Sequence, residues 1–330
     1  MICKNVQTLE KIEEIIQGVI VGDHRSIAKA ITVIENNTVK ARKMITSIFP
    51  HTGKAHIIGI TGPGGSGKST LIHQIILNYR RRDKSVGVIA VDPTSPFTGG
   101  AFLGDRIRMQ PLSTDQGVFI RSMATRNYQG GIAKATKDAV KVLDAAGKDI
   151  IIVETVGAGQ SEVEIIKVAQ TVVVLFAPGL GDEIQAIKAG IMEIGDIFVV
   201  NKADRENANK TVVDIQAMLR LNNDERAWRP PVLQTTAITG EGVSKLIEKL
   251  EEHKSFLKEK MGQKRSREKA EAELVEAIKN KAASLIIDEL KKKGKLTEYI
   301  TKILEEKSDP VSIAEKMLVN EFRIQKKCQS

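Results

Sequence analysis

Cysteine is nearly absent from this 330-residue chain: Cys3 and Cys328 stand at opposite ends and form no CxxC pair. That excludes a disulfide framework and a thiolate metal site, and it fits a reducing compartment. Aromatic residues make up only 4%, which leaves little to stack on nucleic-acid bases. Lys plus Arg exceed Asp plus Glu by 50 to 41, but the two signs are interspersed, so the net charge of +9 describes a solvated mixed surface. Long apolar runs are missing too: "VVVLFA" at 172–177 falls far short of a membrane span, and Glu10, Glu13 and Glu14 interrupt the apolar residues near the N-terminus where a signal peptide has an unbroken centre. The expectation is a cytoplasmic protein, an organelle matrix being compatible, with neither nucleic acid nor membrane as a partner.

What is present is an apolar content of 42%, enough for a substantial core. In the first fifty residues, Leu9, Ile12, Ile15, Ile16 and Val19, then Ile27, Ala30, Ile31 and Ile34, recur at three and four, the stripe of packed helices. From residue 55 short β-branched runs take over ("AHIIGI", "SVGVIAV", "GVFIRSM", "DIIIVET", "TVVVLFA", "DIFVVN", "PVLQTTA"), separated by helical segments such as 130–147. Such alternation implies right-handed βαβ units and a mostly parallel sheet buried on both faces. After it, "SREKAEAELVEAIKNKAASLIIDELKKKG" is rich in helix formers and stops at Gly294, and Ser308 and Asp309 are N-cap candidates ahead of Pro310. The predicted organisation is an N-terminal helical extension (1–54), an α/β domain (55–256) and a C-terminal helical arm (257–330) suited to dimerisation.

"ITGPGGSGKSTL" sets Gly62, Gly67, Lys68 and Ser69 in the spacing GxxxxGKS between a predicted strand and a helix-compatible segment. This is the phosphate-binding loop of a P-loop NTPase. Its backbone, Gly62, Pro63, Gly64, Gly65, Ser66, Gly67, Lys68, Ser69 and Thr70, surrounds the phosphates; Lys68 spans the β- and γ-phosphates, and the Ser69 hydroxyl binds Mg²⁺. "VVNKAD" at 199–204 then supplies Asn201, Lys202 and Asp204 at the end of a late strand. A carboxylate there accepts two N–H bonds from guanine, whereas adenine presents a lone pair at the same ring position, so the pair of motifs selects GTP and GDP over ATP. "TTAITGEG" at 235–242 brings Thr236, Ala237 and Ile238 to the next strand end, where their backbone can close over the guanine oxygen.

Two further segments carry acids to the same edge. "DIIIVETVGAGQSE" is a buried strand ending in Glu154, followed by Gly157; an acid here serves the Mg²⁺ shell, and the glycine N–H can face the γ-phosphate. Glu stands where most GTPases have Asp. "VDPTSPFTGGAFLGDRIRM" at 91–109 begins with Asp92 at a strand end and reaches Asp105 through a Pro/Gly/Ser/Thr-rich loop, the composition expected of a switch drawn in by metal and γ-phosphate.

These segments, together with "GLGDEIQAIKAGIMEIGDIFVVNKAD" and "WRPPVLQTTAITGEG", closely resemble the MeaB/ArgK family of GTPases over most of residues 20–255, while the tail matches in helical character alone. The resemblance implies a G-protein chaperone for an adenosylcobalamin-dependent acyl-CoA mutase, typically methylmalonyl-CoA mutase. Such a chaperone gates cofactor delivery from a cobalamin adenosyltransferase, protects or reactivates the mutase, and is commonly a homodimer. Carried over by motif, Lys68 and Ser69 belong to the phosphate loop and Asp92, Asp105 and Glu154 to metal-centred switches. Asp182, Gln185 and Lys188 of "GDEIQAIKAG" fall in an additional switch that communicates with the mutase.

Ala158 follows Gly157 where better-known GTPases place a glutamine that orients water, so unaided hydrolysis is expected to be slow unless Gln160, Lys188 or a partner completes the site. Two other readings stay open on the residues. A transport-associated ATPase or kinase of the ArgK type requires ATP preference, against which Asp204 argues. A metal-inserting GTPase usually displays Cys/His clusters, and here the five His and two Cys are scattered, with His51 and His56 the nearest His pair in sequence. No DxHxxG-like string suggests that this chain binds cobalamin itself.

Overall fold

The computed structural model describes residues 12–36, 39–92, 112, 114–124, 134–155, 165–179, 191–221, 227–305 and 309–322, and the chain divides into two compact units, Met1–Lys258 and Glu259–Ser330. All seven apolar runs form strands: β1 (His56–Thr61), β2 (Val86–Asp92), β3 (Val118–Ala124), β4 (Ile150–Thr155), β5 (Thr171–Phe176), β6 (Ile197–Asn201) and β7 (Val232–Thr235). They make one sheet in the order β3-β2-β4-β1-β5-β6-β7, and every pairing is parallel. The helices of the first unit are α1 (His24–Glu35), α2 (Val39–Ile48), α3 (Lys68–Arg80), α4 (Lys134–Ala145), α5 (Ile191–Ile194), α6 (Ala208–Leu221) and α7 (Val243–Phe256), and residues 12–20 are helical as well.

Because successive strand side chains point to opposite faces, each buried run feeds two cores. Ile150 and Ile152 of β4 and Val173 and Leu175 of β5 join Leu71, Ile72, Ile75 and Ile76 of α3 and Leu246, Ile247 and Leu250 of α7. Their neighbours Ile151, Val153, Val172, Val174 and Phe176 join the opposite core, and so do Ile12, Ile16, Val19, Ile27, Ile31 and Ile34. The N-terminal helical stripe therefore covers one face of the sheet. A salt bridge from Arg121 of β3 to Glu35 (2.5 Å) ties α1 to the outermost strand. Asp144 in α4 accepts the N–H groups of Gly53, Lys54 and Ala55 at 2.5–3.1 Å, fixing the chain just before β1 begins.

The amino-terminal edge of the sheet carries a buried polar chain. His56 Nε2 meets Thr171 Oγ1 at 2.8 Å, Thr171 Oγ1 meets His253 Nδ1 at 2.9 Å, and His253 Nε2 lies 3.4 Å from the Asp196 carboxylate. Trp228 packs on the His253 ring and donates its Nε1–H to the Asp196 carbonyl. Burial, reinforced by the Lys254 charge and by His253, holds the His56 imidazole well below its ordinary range, at about 3.

The second unit contains α8 (Gly262–Lys292), α9 (Lys295–Leu304) and α10 (Pro310–Phe322). Gly294 has φ of 69° between α8 and α9, as a helix-stopping glycine should. Asp309 Oδ1 accepts from Val311 N and Ser312 N, both at 2.9 Å, so Asp309 is the cap of α10; Ser308 lies outside the described residues. No helix among the described residues is long and apolar enough to cross a membrane.

Two outcomes follow from this packing. Asp144→Ala strands three backbone donors and should lower unfolding free energy by about 2–4 kcal/mol in urea titrations. His56 is neutral when folded, whereas the unfolded chain protonates it near the ordinary imidazole value of 6.5. The unfolded state thus binds the extra proton between pH 6.5 and about 3, and stability falls as pH is lowered through that window. The His56 contribution to the slope is up to about 1.4 kcal/mol per pH unit, and His56→Gln should flatten the measured curve by that amount.

Candidate functional site

β1 delivers the chain to the centre of the carboxyl edge, and the loop from Gly62 to Gly67 returns it into α3. Two glycines there are required sterically. Gly62 has φ of 142° and a Cβ would come within 2.1 Å of the Leu175 carbonyl oxygen; Gly67 has φ of 96° and a Cβ would lie 2.4 Å from Asn201 Nδ2. Gly67 is also the N-cap of α3 and offers no side chain to the first-turn N–H groups, as a helix start that receives an anion requires. Gly64 and Gly65 are exposed at the loop crest, and Pro63 and Ser66 are buried beneath it. Thr70 is half-buried in the first turn of α3.

The charged side chains are held by the loop itself. Lys68 Nζ, largely buried, donates to the carbonyls of Gly62 (2.8 Å) and Pro63 (3.0 Å). Ser69 Oγ donates to Glu154 Oε1 at 2.9 Å, and both residues are buried. Glu154 reaches it because β4 is the neighbour of β1 and pairs Glu154 with Ile60. A hydroxyl and a carboxylate side by side are hard oxygen donors that fit Mg²⁺.

The base end is braced to the phosphate end. Asn201, last residue of β6, donates Nδ2–H to the Ser66 carbonyl (2.9 Å), and its Oδ1 accepts from Thr235 Oγ1 (3.1 Å) and Ala237 N (3.0 Å). Lys202 adopts φ of 58° and donates Nζ to the Gly65 carbonyl at 2.7 Å, so its stem runs across the loop. Asp204 is exposed in the turn that follows. Thr236 N bonds Glu241 O at 3.0 Å and closes the β7 loop; Ala237 is buried, and Ile238 is 81% exposed at the tip.

Asp92 ends β2, one rung beyond the Val91–Thr155 pair, which puts its backbone at the same edge. Asp105, Gly157, Ala158, Gln160, Asp182, Gln185 and Lys188 lie outside the described residues. Three residues that motif reading passed over stand in the middle of the site: Thr61, Thr155 and Thr235. Thr155 Oγ1 donates to Thr61 Oγ1 at 2.9 Å, and Thr235 buttresses Asn201. A threonine at a strand end carries no sequence signal of its own; strand register reveals the pairing.

The model of the family described as "Methylmalonyl Co-A mutase-associated GTPase MeaB" matches residues 27–293. A putative GTPase of Pyrococcus abyssi is 51% identical over 313 residues, covering 93% of this chain and 96% of its own length. One of Pyrococcus horikoshii is 51% identical over 318 residues, covering 94% of this chain and 98% of its own. Among solved structures, one described as a LAO/AO transport system kinase superposes with a TM-score of 0.68 at 24% identity, over 96% of this chain and 98% of its own, and speaks for the fold. With a phosphate loop, a guanine-type motif and a strand-end acid converging on one sheet edge, and with these matches over most of its length, the chain belongs to the MeaB family of P-loop GTPases.

Proposed function

We propose that this protein is a GTP-hydrolysing chaperone that gates cofactor loading of an adenosylcobalamin-dependent acyl-CoA mutase of the methylmalonyl-CoA type and protects or reactivates it. The observation that carries the nucleotide part is the Asn201 side chain, which joins the Ser66 carbonyl to the Ala237 amide and so fixes the phosphate and base ends as one pocket. The family description, a mutase-associated GTPase, supports the choice of partner.

In this reading Lys68 leaves the Gly62 and Pro63 carbonyls for the β- and γ-phosphates, while first-turn amides of α3 receive the β-phosphate. Ser69 and Glu154, with Asp92 and Asp105, would hold Mg²⁺, which when bound offsets charge developing on the phosphates. Gly157, by motif, would offer its N–H to the γ-phosphate. Asp204 reads the guanine N–H groups, the Lys202 stem lies along one face of the ring, and the backbone of Thr236, Ala237 and Ile238 closes over the guanine oxygen. With Ala158 unable to orient a water, turnover depends on Gln160, Lys188 or the partner. The segment holding Asp182, Gln185 and Lys188 is assigned to signalling toward the mutase, and a cobalamin adenosyltransferase supplies the cofactor. Homodimerisation through the C-terminal helices and a cytoplasmic site of action belong to the same proposal. Exposed Leu274, Ile278, Leu285 and Leu304 give those helices apolar surface to bury.

Asp204→Ala removes two charge-assisted hydrogen bonds and should weaken GTP binding by about 100-fold while leaving ATP binding as weak as before, measured by paired titrations. GTP hydrolysis should rise at least about tenfold on adding the cognate mutase, in line with a partner completing the site. Equal rates with and without the mutase would overturn the chaperone reading while leaving the GTPase intact.

A further inference from the structure

Thr61 and Thr155 are the last residues of two neighbouring parallel strands, one rung beyond the Ile60–Glu154 pair. Their hydroxyls meet at 2.9 Å and both residues are fully buried. The strand partners on either side are apolar: Thr61 pairs with Val174 and Thr155 with Val91. Two valines would fill the same space without burying any hydroxyl, so this polar rung is not what packing alone selects.

Its place in the site gives it a task. Thr61 is bonded covalently to Gly62, whose carbonyl accepts from Lys68; Lys68 precedes Ser69, whose hydroxyl donates to Glu154; Glu154 precedes Thr155, whose hydroxyl donates to Thr61. Three hydrogen bonds thus close a ring through the six residues. Under the functional reading above, on which this inference rests, nucleotide loading opens two of the three, since Lys68 moves to phosphate and Ser69 to the metal. The Thr155–Thr61 bond needs no partner exchange.

We infer that Thr61 and Thr155 form a positioning pair that keeps Glu154 in register with the phosphate loop while the other two contacts of the ring open. Neither threonine touches the nucleotide. The pair acts by fixing where the Glu154 carboxylate starts from relative to Ser69, so its loss should be felt in the metal-dependent part of binding and turnover. The metal-free grip on nucleotide depends on loop amides and Lys68 and should not change.

The test compares wild type with Thr155→Val, Thr61→Val, the double variant and Thr155→Ser, all as full chains. Three quantities are measured: dissociation constants for a fluorescent GDP in EDTA and in Mg²⁺, kcat for GTP, and the melting temperature. Thr155→Val should keep the EDTA dissociation constant and melt at or above the wild-type temperature. Its Mg²⁺-dependent gain in affinity and its kcat should each fall about five- to tenfold, the size of one hydrogen bond. Thr155→Ser should restore both, Thr61→Val should match Thr155→Val, and the double variant should be no worse than either single one. The inference fails if Thr155→Val equals wild type throughout, if the two valine effects multiply, or if EDTA and Mg²⁺ affinities drop together with the melting temperature. A wild-type protein whose GDP affinity does not respond to Mg²⁺ would overturn the metal-site reading along with the inference. A wild-type gain fully retained by Thr155→Val overturns the inference alone.

Discussion

The position of β1, hydrogen-bonded to β4 on one side and β5 on the other, is the constraint from which the site follows. In a parallel sheet all strands end at the same edge, so the phosphate loop after β1 must emerge between whatever ends β4 and β5. Here β4 ends in Glu154 and Thr155, and β5 passes its Leu175 carbonyl so close to Gly62 that only glycine is admitted. The β1–β4 register then sets the Ser69–Glu154 contact, since a shift of one residue would turn Glu154 to the opposite face of the sheet.

The two edges of the sheet use buried polar groups differently. At the carboxyl edge, Lys68 bonds loop carbonyls that a ligand can replace, while Asn201 braces the loop through the Ser66 carbonyl. At the amino edge His56, Thr171, His253 and Asp196 form a linear chain of side-chain contacts. A carboxylate only accepts, so His253 directs Nε2–H to Asp196, while its Nδ1 meets the Thr171 hydroxyl at 2.9 Å. The same hydroxyl meets His56 Nε2, and His56 Nδ1 is buried without a hydrogen-bond partner in the described residues. Protonating that nitrogen would bury an unpaired donor and a charge together, the same desolvation that holds the His56 imidazole far below its ordinary range.

Much of this was legible before any coordinates, for identifiable reasons. Seven strands could be read because parallel strands buried on both faces must be apolar throughout, and the β-branched runs from "AHIIGI" to "PVLQTTA" have no helical period. Lys68, Ser69, Asn201 and Asp204 were legible because phosphate and guanine chemistry fixes both residue type and spacing. Contacts made across the sheet were not legible, because they depend on which strands become neighbours. Thr155 against Thr61 and Asp144 against the Gly53–Ala55 amides join residues about ninety positions apart, with ordinary residue types at both ends. The stripe at Ile27, Ile31 and Ile34 announced a helix, yet the face that covers it appears only once the second core is assembled.

The hydrogen bonds at the nucleotide edge also bear on where binding energy can come from. Lys68 donates to two backbone carbonyls of the phosphate loop, so a nucleotide that recruits it exchanges hydrogen bonds and does not add them. An exchange of neutral acceptors would be nearly balanced, because the net worth of a hydrogen bond is the difference between two partners. What a phosphate offers that a carbonyl does not is full negative charge, to be met by the Lys68 ammonium and by a helix start that has no capping side chain of its own. In the proposed nucleotide-bound state discrimination would rest on charge, and the loop carbonyls left behind by Lys68 would have to be satisfied by water or rearranged backbone.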